Sequence, residues 1–214
     1  MMEIVRLADV GVEAAALQAA ATLRSGGVII YPTDTLYGLG ADALSDSAVA
    51  KVKRIKGRDE RKPIHAILAN IETAKNYVVM NDKASLLARM FWPGSLTLIF
   101  KKKEGVDTGI GSAIDTFGVR VSDNSFALEL ACTFGKPYTG TSANRSGEKP
   151  EHSIKGILAQ LGEAVSDIDL VIDAGELPES PPSTVVDVHS AGTVILREGA
   201  VSIAEVWNAL RTER

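Results

Sequence analysis

The sequence predicts one α/β domain with helices packed on a largely buried, mixed sheet, and three observations carry that expectation. Short apolar, β-branched runs alternate with helical stretches along almost the whole chain. Several of the strand-like runs follow one another with no helix between them, so the sheet is expected to mix parallel and antiparallel pairs. The most linker-like stretch, Glu176 to Ser183, leaves only about thirty residues behind it, too few for a second domain.

Each element has a local reason. Val12–Arg24 is an alanine- and leucine-rich helix ended by Gly26-Gly27. Val28–Tyr31 is a buried strand closed by Pro32, and the PTDTLYGLGADA segment after it has too many turn formers to be regular. A Ser45/Asp46 cap opens a helix to Ile55 whose last turn is loaded with Lys and Arg, matching the helix dipole. Ile64–Ala69 reads as a strand. Helices at Glu72–Tyr77 and Lys83–Phe91 follow, the second stopped by Trp92-Pro93-Gly94. Strands are expected at Leu96–Phe100 and Gly118–Val121, a helix at Phe126–Phe134, and a strand at Pro137–Thr141 that runs into TSANRSGEKP. A helix at Ile154–Leu161, strands at Leu170–Ile172, Thr184–Val188 and Val194–Leu196, and a closing helix at Ile203–Leu210 complete the alternation.

Composition narrows the function. Of the 214 residues 45% are hydrophobic and 23% charged, which excludes a disordered or fibrous chain. The formal charge of −4 argues against a protein whose main business is coating duplex DNA or an anionic membrane. The single cysteine, Cys132, permits no internal disulfide and no cysteine-based zinc cluster, and suits a reducing compartment. No basic leader precedes a long apolar stretch, and no run of about 18 apolar residues occurs, so a soluble, cytoplasmic protein with no membrane partner is expected.

Three polar segments stand where open α/β sheets place ligands. The first, PTDTLYGLGADA, offers Thr33, Asp34 and Thr35, then Gly38 and Gly40, which can take positive φ and admit a ligand to the backbone. It reads equally as a glycine-rich turn capped by threonine hydroxyls, and its resemblance to a dinucleotide fingerprint is discounted because the glycines join no strand directly to a helix. The second is the charge anomaly. Seven cations between Lys51 and Lys62 face only Asp59 and Glu60, a local net of +5 that leaves −9 for the rest. Lys56-Gly57-Arg58 sits where the helix ends, a place from which two cations can converge on one polyphosphate, although a solvated helix face would look the same. The third, Thr141-Ser142-Ala143-Asn144, brings short hydroxyl and amide groups that suit a carboxylate, a phosphate or a base edge, and also ordinary Asx and Ser turns.

Together and in this order, PTDTLYGLGADA, KGRDERKP, FWPGSLTLIF, Gly118-Val119-Arg120-Val121, TSANRSG, Ser183-Thr184-Val185-Val186-Asp187 and Ile195-Leu196-Arg197-Glu198-Gly199 resemble the YrdC/Sua5 family of threonylcarbamoyl-AMP synthases. The likeness runs from about Ala14 to Val201 within a single domain expected over residues 1 to 214. It implies a twisted mixed sheet with flanking helices around a concave, basic cleft, in the short form that lacks an accessory domain. The implied reaction joins L-threonine, bicarbonate and ATP into threonylcarbamoyl-AMP and pyrophosphate for the t6A modification of tRNA. No covalent enzyme intermediate is required, so positioning and charge neutralisation carry the chemistry. Mg²⁺ accompanies ATP and is held chiefly by phosphate oxygens, with no protein metal site.

The resemblance assigns residues one by one. Lys56 and Arg58 match the family's Lys-x-Arg pair and are expected to act on the triphosphate and its developing charge. Thr35 matches the threonine-contacting hydroxyl, Arg120 the grip on the amino acid's carboxylate, and Ser142 and Ser183 its further contacts. Lys62, Thr116, Asn144, His152 and Arg197 fall at nucleotide-binding positions, although His152 replaces what is commonly a small hydroxyl residue. Where some long members carry a threonine-binding histidine this chain has Ile67, with His65 two residues earlier on the same strand face. The expected partners are the three substrates, the downstream threonylcarbamoyl-transfer proteins, and tRNA or double-stranded RNA as a polyanion the basic segment could contact. An RNA-binding module without catalysis is the alternative. It is disfavoured because aromatics are only 5% and none interleaves the basic run.

Overall fold

The computed structural model describes residues 2–59, 63–112, 114–190 and 192–211. In chain order the elements are β1 (Glu3–Arg6), α1 (Leu7–Val10), α2 (Val12–Arg24), β2 (Ile29–Tyr31), β3 (Gly38–Gly40), α3 (Asp46–Lys56), β4 (Ala66–Ile67), α4 (Ile71–Ala74), β5 (Val78–Val79) and α5 (Asp82–Phe91). There follow β6 (Leu96–Lys102), β7 (Thr116–Arg120), α6 (Ser125–Phe134), β8 (Tyr138–Thr139), β9 (Thr141–Ser142), α7 (Ile154–Leu161), β10 (Leu170–Asp173), β11 (Thr184–Asp187), β12 (Val194–Arg197) and α8 (Ile203–Arg211).

The strands form two mixed sheets where the sequence predicted one. The first has the order β1-β10-β2-β3-β9, parallel from β1 to β2 and antiparallel from β2 to β9. The second has the order β12-β11-β6-β7-β4-β8, with β5 added beside β6. The chain passes from one sheet to the other at Gly140, which separates β8 from β9. Backbone bonds from Thr139 to Ala41 (2.9 Å) and from Ala43 to Pro137 (3.0 Å) stitch this seam.

Burial explains the helices. On α2 the buried residues are Ala15, Ala16, Ala19, Ala20 and Leu23, the i, i+4 stripe of one helix face, and they pack with Phe126, Ala127, Leu130 and Ala131 of α6. Small alanines let the two helices approach closely, and this layer covers β2 and β10 of the first sheet. The larger core, built on Val52, Ile55, Leu98, Phe100, Phe117 and Val119 among others, lies beneath α3, α5 and the second sheet.

Two local departures matter for the site. Gly38–Gly40, expected to be irregular, is a strand pairing Ile30 with Leu39. Its glycines are needed for close approach: a Cβ on Gly38 would lie 2.7 Å from Cζ of the buried Tyr31 ring. Neither Gly38 nor Gly40 is among the glycines with positive φ. The strand expected over Ile64–Ala69 is regular only at Ala66–Ile67, which leaves His65 just before it.

Candidate functional site

A cavity of about 350 Å³ opens at the seam between the sheets. Its walls come from Tyr31 and Gly38 on one side, from Thr97, Gly118 and Val185 on the other, and from the connecting residues Gly140 to Ser142. Three guanidinium groups, those of Arg58, Arg120 and Arg197, reach it.

Arg120 closes β7 and is buried at 4% exposure. Its Nε donates to the Gly94 carbonyl at 3.0 Å, Nη1 to Thr35 Oγ1 at 3.1 Å and Nη2 to Asp34 Oδ1 at 2.6 Å. Asp34 also accepts from Ser122 on Oδ1 and from Ser95 on Oδ2 at 2.7 Å. Partial burial works against its charge, but Arg120 and the hydrogen bonds from Ser122, Ser95 and Arg120 outweigh that and hold the carboxyl below its ordinary range. Thr35 is oriented in turn by Thr33, whose Oγ1 accepts from the backbone N–H groups of Thr35 and Leu36, both at 3.1 Å. This is an ST turn, which is why short hydroxyl residues occupy the tight link after β2.

Arg197, the last residue of β12, folds back onto Ser183, the residue before β11. Its Nη2 donates to the Ser183 carbonyl at 2.8 Å, and Ser183 Oγ lies 2.9 Å from Thr97 Oγ1. Burial, with Arg120 and Arg58 adding like-charge repulsion, lowers the Arg197 pKa. Arg58 donates from Nη2 to the Pro63 carbonyl at 2.9 Å, while its buried Nε has no hydrogen-bond partner among the described residues. Desolvation lowers its pKa too.

Lys56 does not converge with Arg58. Helix α3, capped by Ser45 Oγ on the Ala48 N–H at 3.3 Å, ends at Gly57 in the left-handed conformation. Lys56 therefore turns inward, is 2% exposed, and is absent from the cavity wall. Its Nζ donates to the carbonyls of Ser142 and Asn144 and to Asn144 Oδ1, the last two at 2.8 and 3.1 Å. Three donors thus meet three acceptors, and no carboxylate joins them among the described residues. Asn144 Oδ1 also accepts from Ser142 Oγ at 2.5 Å, while its Nδ2 donates to the carbonyls of Arg145 (2.9 Å) and Glu148 (2.7 Å).

His65 is half-buried on the cavity floor. A Cβ on Gly140 would lie 2.6 Å from its Nε2, and one on Gly118 would lie 2.9 Å from its Cβ, so β7 and the link between β8 and β9 both leave room for the imidazole by carrying glycine. The same Gly140 position would meet Ile67 Cδ1 at 2.8 Å, which places residues 65 and 67 on one face. Burial, then repulsion from Arg120, Arg197 and Arg58, pushes the imidazole down to about 3, so it is neutral.

Of the sequence-predicted residues, the cavity gathers Thr35, Arg58, Thr116, Arg120, Ser142, Ser183 and Arg197. Lys56 and Asn144 lie directly behind Ser142, connected to it by hydrogen bonds. His152 is not part of the wall. Its Nδ1 is buried without a partner among the described residues, and its carbonyl accepts from Leu177 at 2.9 Å. Lys62 lies outside the described residues. No sequence motif assigns a role to Ser95 or Ser122, and Asp34 reads from the sequence only as a loop polar group; Ser95 and Asp34 sit inside motifs, but nothing local couples them to Arg120.

The basic run is dispersed by folding. Lys51 Nζ donates to the Gly26 carbonyl at 2.9 Å, Arg54 pairs with Asp167 at 3.0 Å, and Lys56 is buried. Among the described residues no group of three or more His, Cys, Asp or Glu could hold a metal, and no helix is long and apolar enough to cross a membrane.

The family model Sua5_yciO_yrdC, described as "Telomere recombination", matches residues 21–199. A Mycobacterium leprae relative is 37% identical over 193 residues, which cover 90% of this chain and 86% of its own. The threonylcarbamoyl-AMP synthase of Pyrococcus abyssi is 35% identical over 189 residues, covering 88% of this chain but 55% of its own. A crystal structure of P. abyssi Sua5 complexed with L-threonine superposes with a TM-score of 0.88 at 32% identity, over 99% of this chain and 61% of that one. The crystal structure of Escherichia coli YciO matches with a TM-score of 0.80 at 26% identity, over 96% and 98% of the two chains. Motif order, fold and relatives agree, and the chain belongs to the Sua5/YciO/YrdC family.

Proposed function

We propose that this protein is an L-threonylcarbamoyladenylate synthase, a nucleotidyltransferase that makes threonylcarbamoyl-AMP and pyrophosphate from L-threonine, bicarbonate and ATP for the t6A modification of tRNA. The observation that carries the reading is a single cavity holding a preformed Arg120–Thr35 pair together with the guanidiniums of Arg58 and Arg197. The P. abyssi relative solved with L-threonine supports the amino-acid half.

The amine of threonine attacks the bicarbonate carbon. A C–N bond forms, a C–O bond of the bicarbonate breaks and its oxygen leaves as water with one proton from the amine, giving N-carboxythreonine as its carboxylate. An oxygen of the new carboxylate then attacks the α-phosphorus of ATP; the bond to the bridging α–β oxygen breaks, and pyrophosphate departs with that electron pair. Arg120 and Thr35 hold the amino acid's carboxylate, and Ser142 and Ser183 bound the same pocket. Arg58 and Arg197 stabilise the charge that builds on the triphosphate, with Thr116 on the wall beside the nucleotide and Asn144 supporting that side from behind Ser142. Lys56 works from behind, setting the Ser142–Asn144 loop and adding positive potential beneath it. Asp187 is the only carboxylate on the described cavity wall, so a Mg²⁺ arriving with ATP would draw its ligands chiefly from phosphate oxygens and water.

The labile product passes to a threonylcarbamoyl-transfer protein, and the chemistry itself requires no contact with tRNA. The test is mass-spectrometric detection of threonylcarbamoyl-AMP after incubation with all three substrates, with pyrophosphate release that stops when either L-threonine or bicarbonate is withheld. Pyrophosphate release without threonine dependence would refute it.

A further inference from the structure

We propose that Asp34 is a positioning residue for the amino-acid half of the site. Its carboxylate locks the Arg120 guanidinium, and through it the Thr35 hydroxyl, into a fork ready for a ligand carboxylate. The identity of that ligand rests on the threonine reading above.

Asp34 is not placed to act on substrate. Both oxygens are spent, Oδ1 on Arg120 and Ser122 and Oδ2 on Ser95, and Asp34 is not among the cavity-wall residues. What it controls is Arg120. A guanidinium carries five N–H groups. Three are used inside the protein, by Gly94, Thr35 and Asp34, which leaves one on each terminal nitrogen, the number that a bidentate carboxylate takes.

The tethers come from three separate stretches of chain: the turn after β2 (Asp34, Thr35), the segment before β6 (Gly94, Ser95) and the end of β7 (Arg120, Ser122). A free arginine would have to surrender its rotamer freedom on binding; here that ordering is completed by folding. The pairing also divides the cavity electrostatically. Arg120 has its charge balanced by Asp34 and offers geometry, whereas Arg58 and Arg197 have no carboxylate partner among the described residues and offer net charge to an anion such as a polyphosphate.

The experiment compares the full-length chain with Asp34→Asn and Ser122→Ala by calorimetric titration with L-threonine, with its carboxamide, threoninamide, and with ATP. Side-chain nitrogen NMR of Arg120 in the unliganded proteins is measured in parallel. Loss of one charge-assisted bond predicts that Asp34→Asn weakens L-threonine about tenfold or more, with ATP changed less than about twofold. The preference for threonine over threoninamide should shrink, and the Arg120 terminal nitrogens, held in slow rotation in the parent, should become mobile. Ser122→Ala should show the same pattern, smaller. An unchanged threonine-to-threoninamide ratio with an immobile Arg120 in both variants overturns the proposal. If Asp34→Asn does not fold, Ser122→Ala decides by the same criteria. If the parent fails to bind L-threonine, the threonine reading falls, and the Arg120 NMR signal alone decides the role of Asp34.

Discussion

Lys56 Nζ lies 2.8 Å from the Asn144 carbonyl and 3.1 Å from its side-chain oxygen, a buried ammonium bound by neutral acceptors from a loop 88 positions further along the chain. Burial, with Arg58 adding repulsion, pushes Lys56 down to about 7. The unfolded chain keeps this proton up to its ordinary pKa of 10.5. Between the two values the unfolded state binds more protons than the folded one, so stability should rise with pH through that window. Below about 7 the lysine is charged in both states, and the penalty of burying it is felt in full. Thermal melts from pH 7 to 9 should show a climb in Tm that Lys56→Met flattens; equal slopes for the two proteins would contradict the coupling.

Arg58 separates activity from stability. Its bond to the Pro63 carbonyl is exposed, so Arg58→Ala should change folding stability by no more than about 0.5 kcal/mol. Removing a cation from the developing phosphate charge should lower threonine-dependent pyrophosphate release by about 10²- to 10³-fold. Arg58→Lys should recover only part of it, because an ammonium cannot reproduce the planar fork. A urea melt and a pyrophosphate assay on the same preparations check both halves.

Gly140 and His65 form a steric pair. A methyl group on Gly140 would sit 2.6 Å from His65 Nε2, so Gly140→Ala should drive the imidazole into the cavity and cost about 1–3 kcal/mol. Threonine binding should weaken with it. Adding His65→Ala removes the imidazole side of the clash, leaving only the flexible Ile67 Cδ1 at 2.8 Å, and should restore part of the stability towards that of His65→Ala alone. A double-mutant cycle by denaturant unfolding reads the coupling, and additive effects would show that the two do not touch.

Ser45 anchors the start of α3, the helix that carries Lys56 at its other end. Its hydroxyl accepts from the Ala48 N–H at 3.3 Å, so Ser45→Ala should lower stability by about 1 kcal/mol in a urea titration. Specific activity per folded molecule should stay at the parent level, because the far end of the helix is held by its own contacts.

Elements with local signals were readable from the chain. The helix expected over Val12–Arg24 and that over Ile154–Leu161 form with those bounds, because glycine stops, caps and apolar spacing act within a few residues. β3 escaped because Gly38 and Gly40 have no side chains to show alternation; its strand exists to pass beneath Tyr31. The division into two sheets escaped as well, since the chain crosses between them three times, after β3, β8 and β10, and no local pattern marks those crossings.

The candidate site divides along the same line. Motif order was enough to collect Thr35, Arg58, Thr116, Arg120, Ser142, Ser183 and Arg197, all of which reach one cavity. It could not say that Lys56 turns away from Arg58 to hold Asn144, or that Asp34 meets Arg120 from 86 positions away. Residue type and short-range spacing settle which groups the chain carries and where its helices begin and end. Which cation stays free for a ligand and which is spent on the protein depends on burial and on partners from distant strands, and those exist only once the two sheets have closed around the cavity.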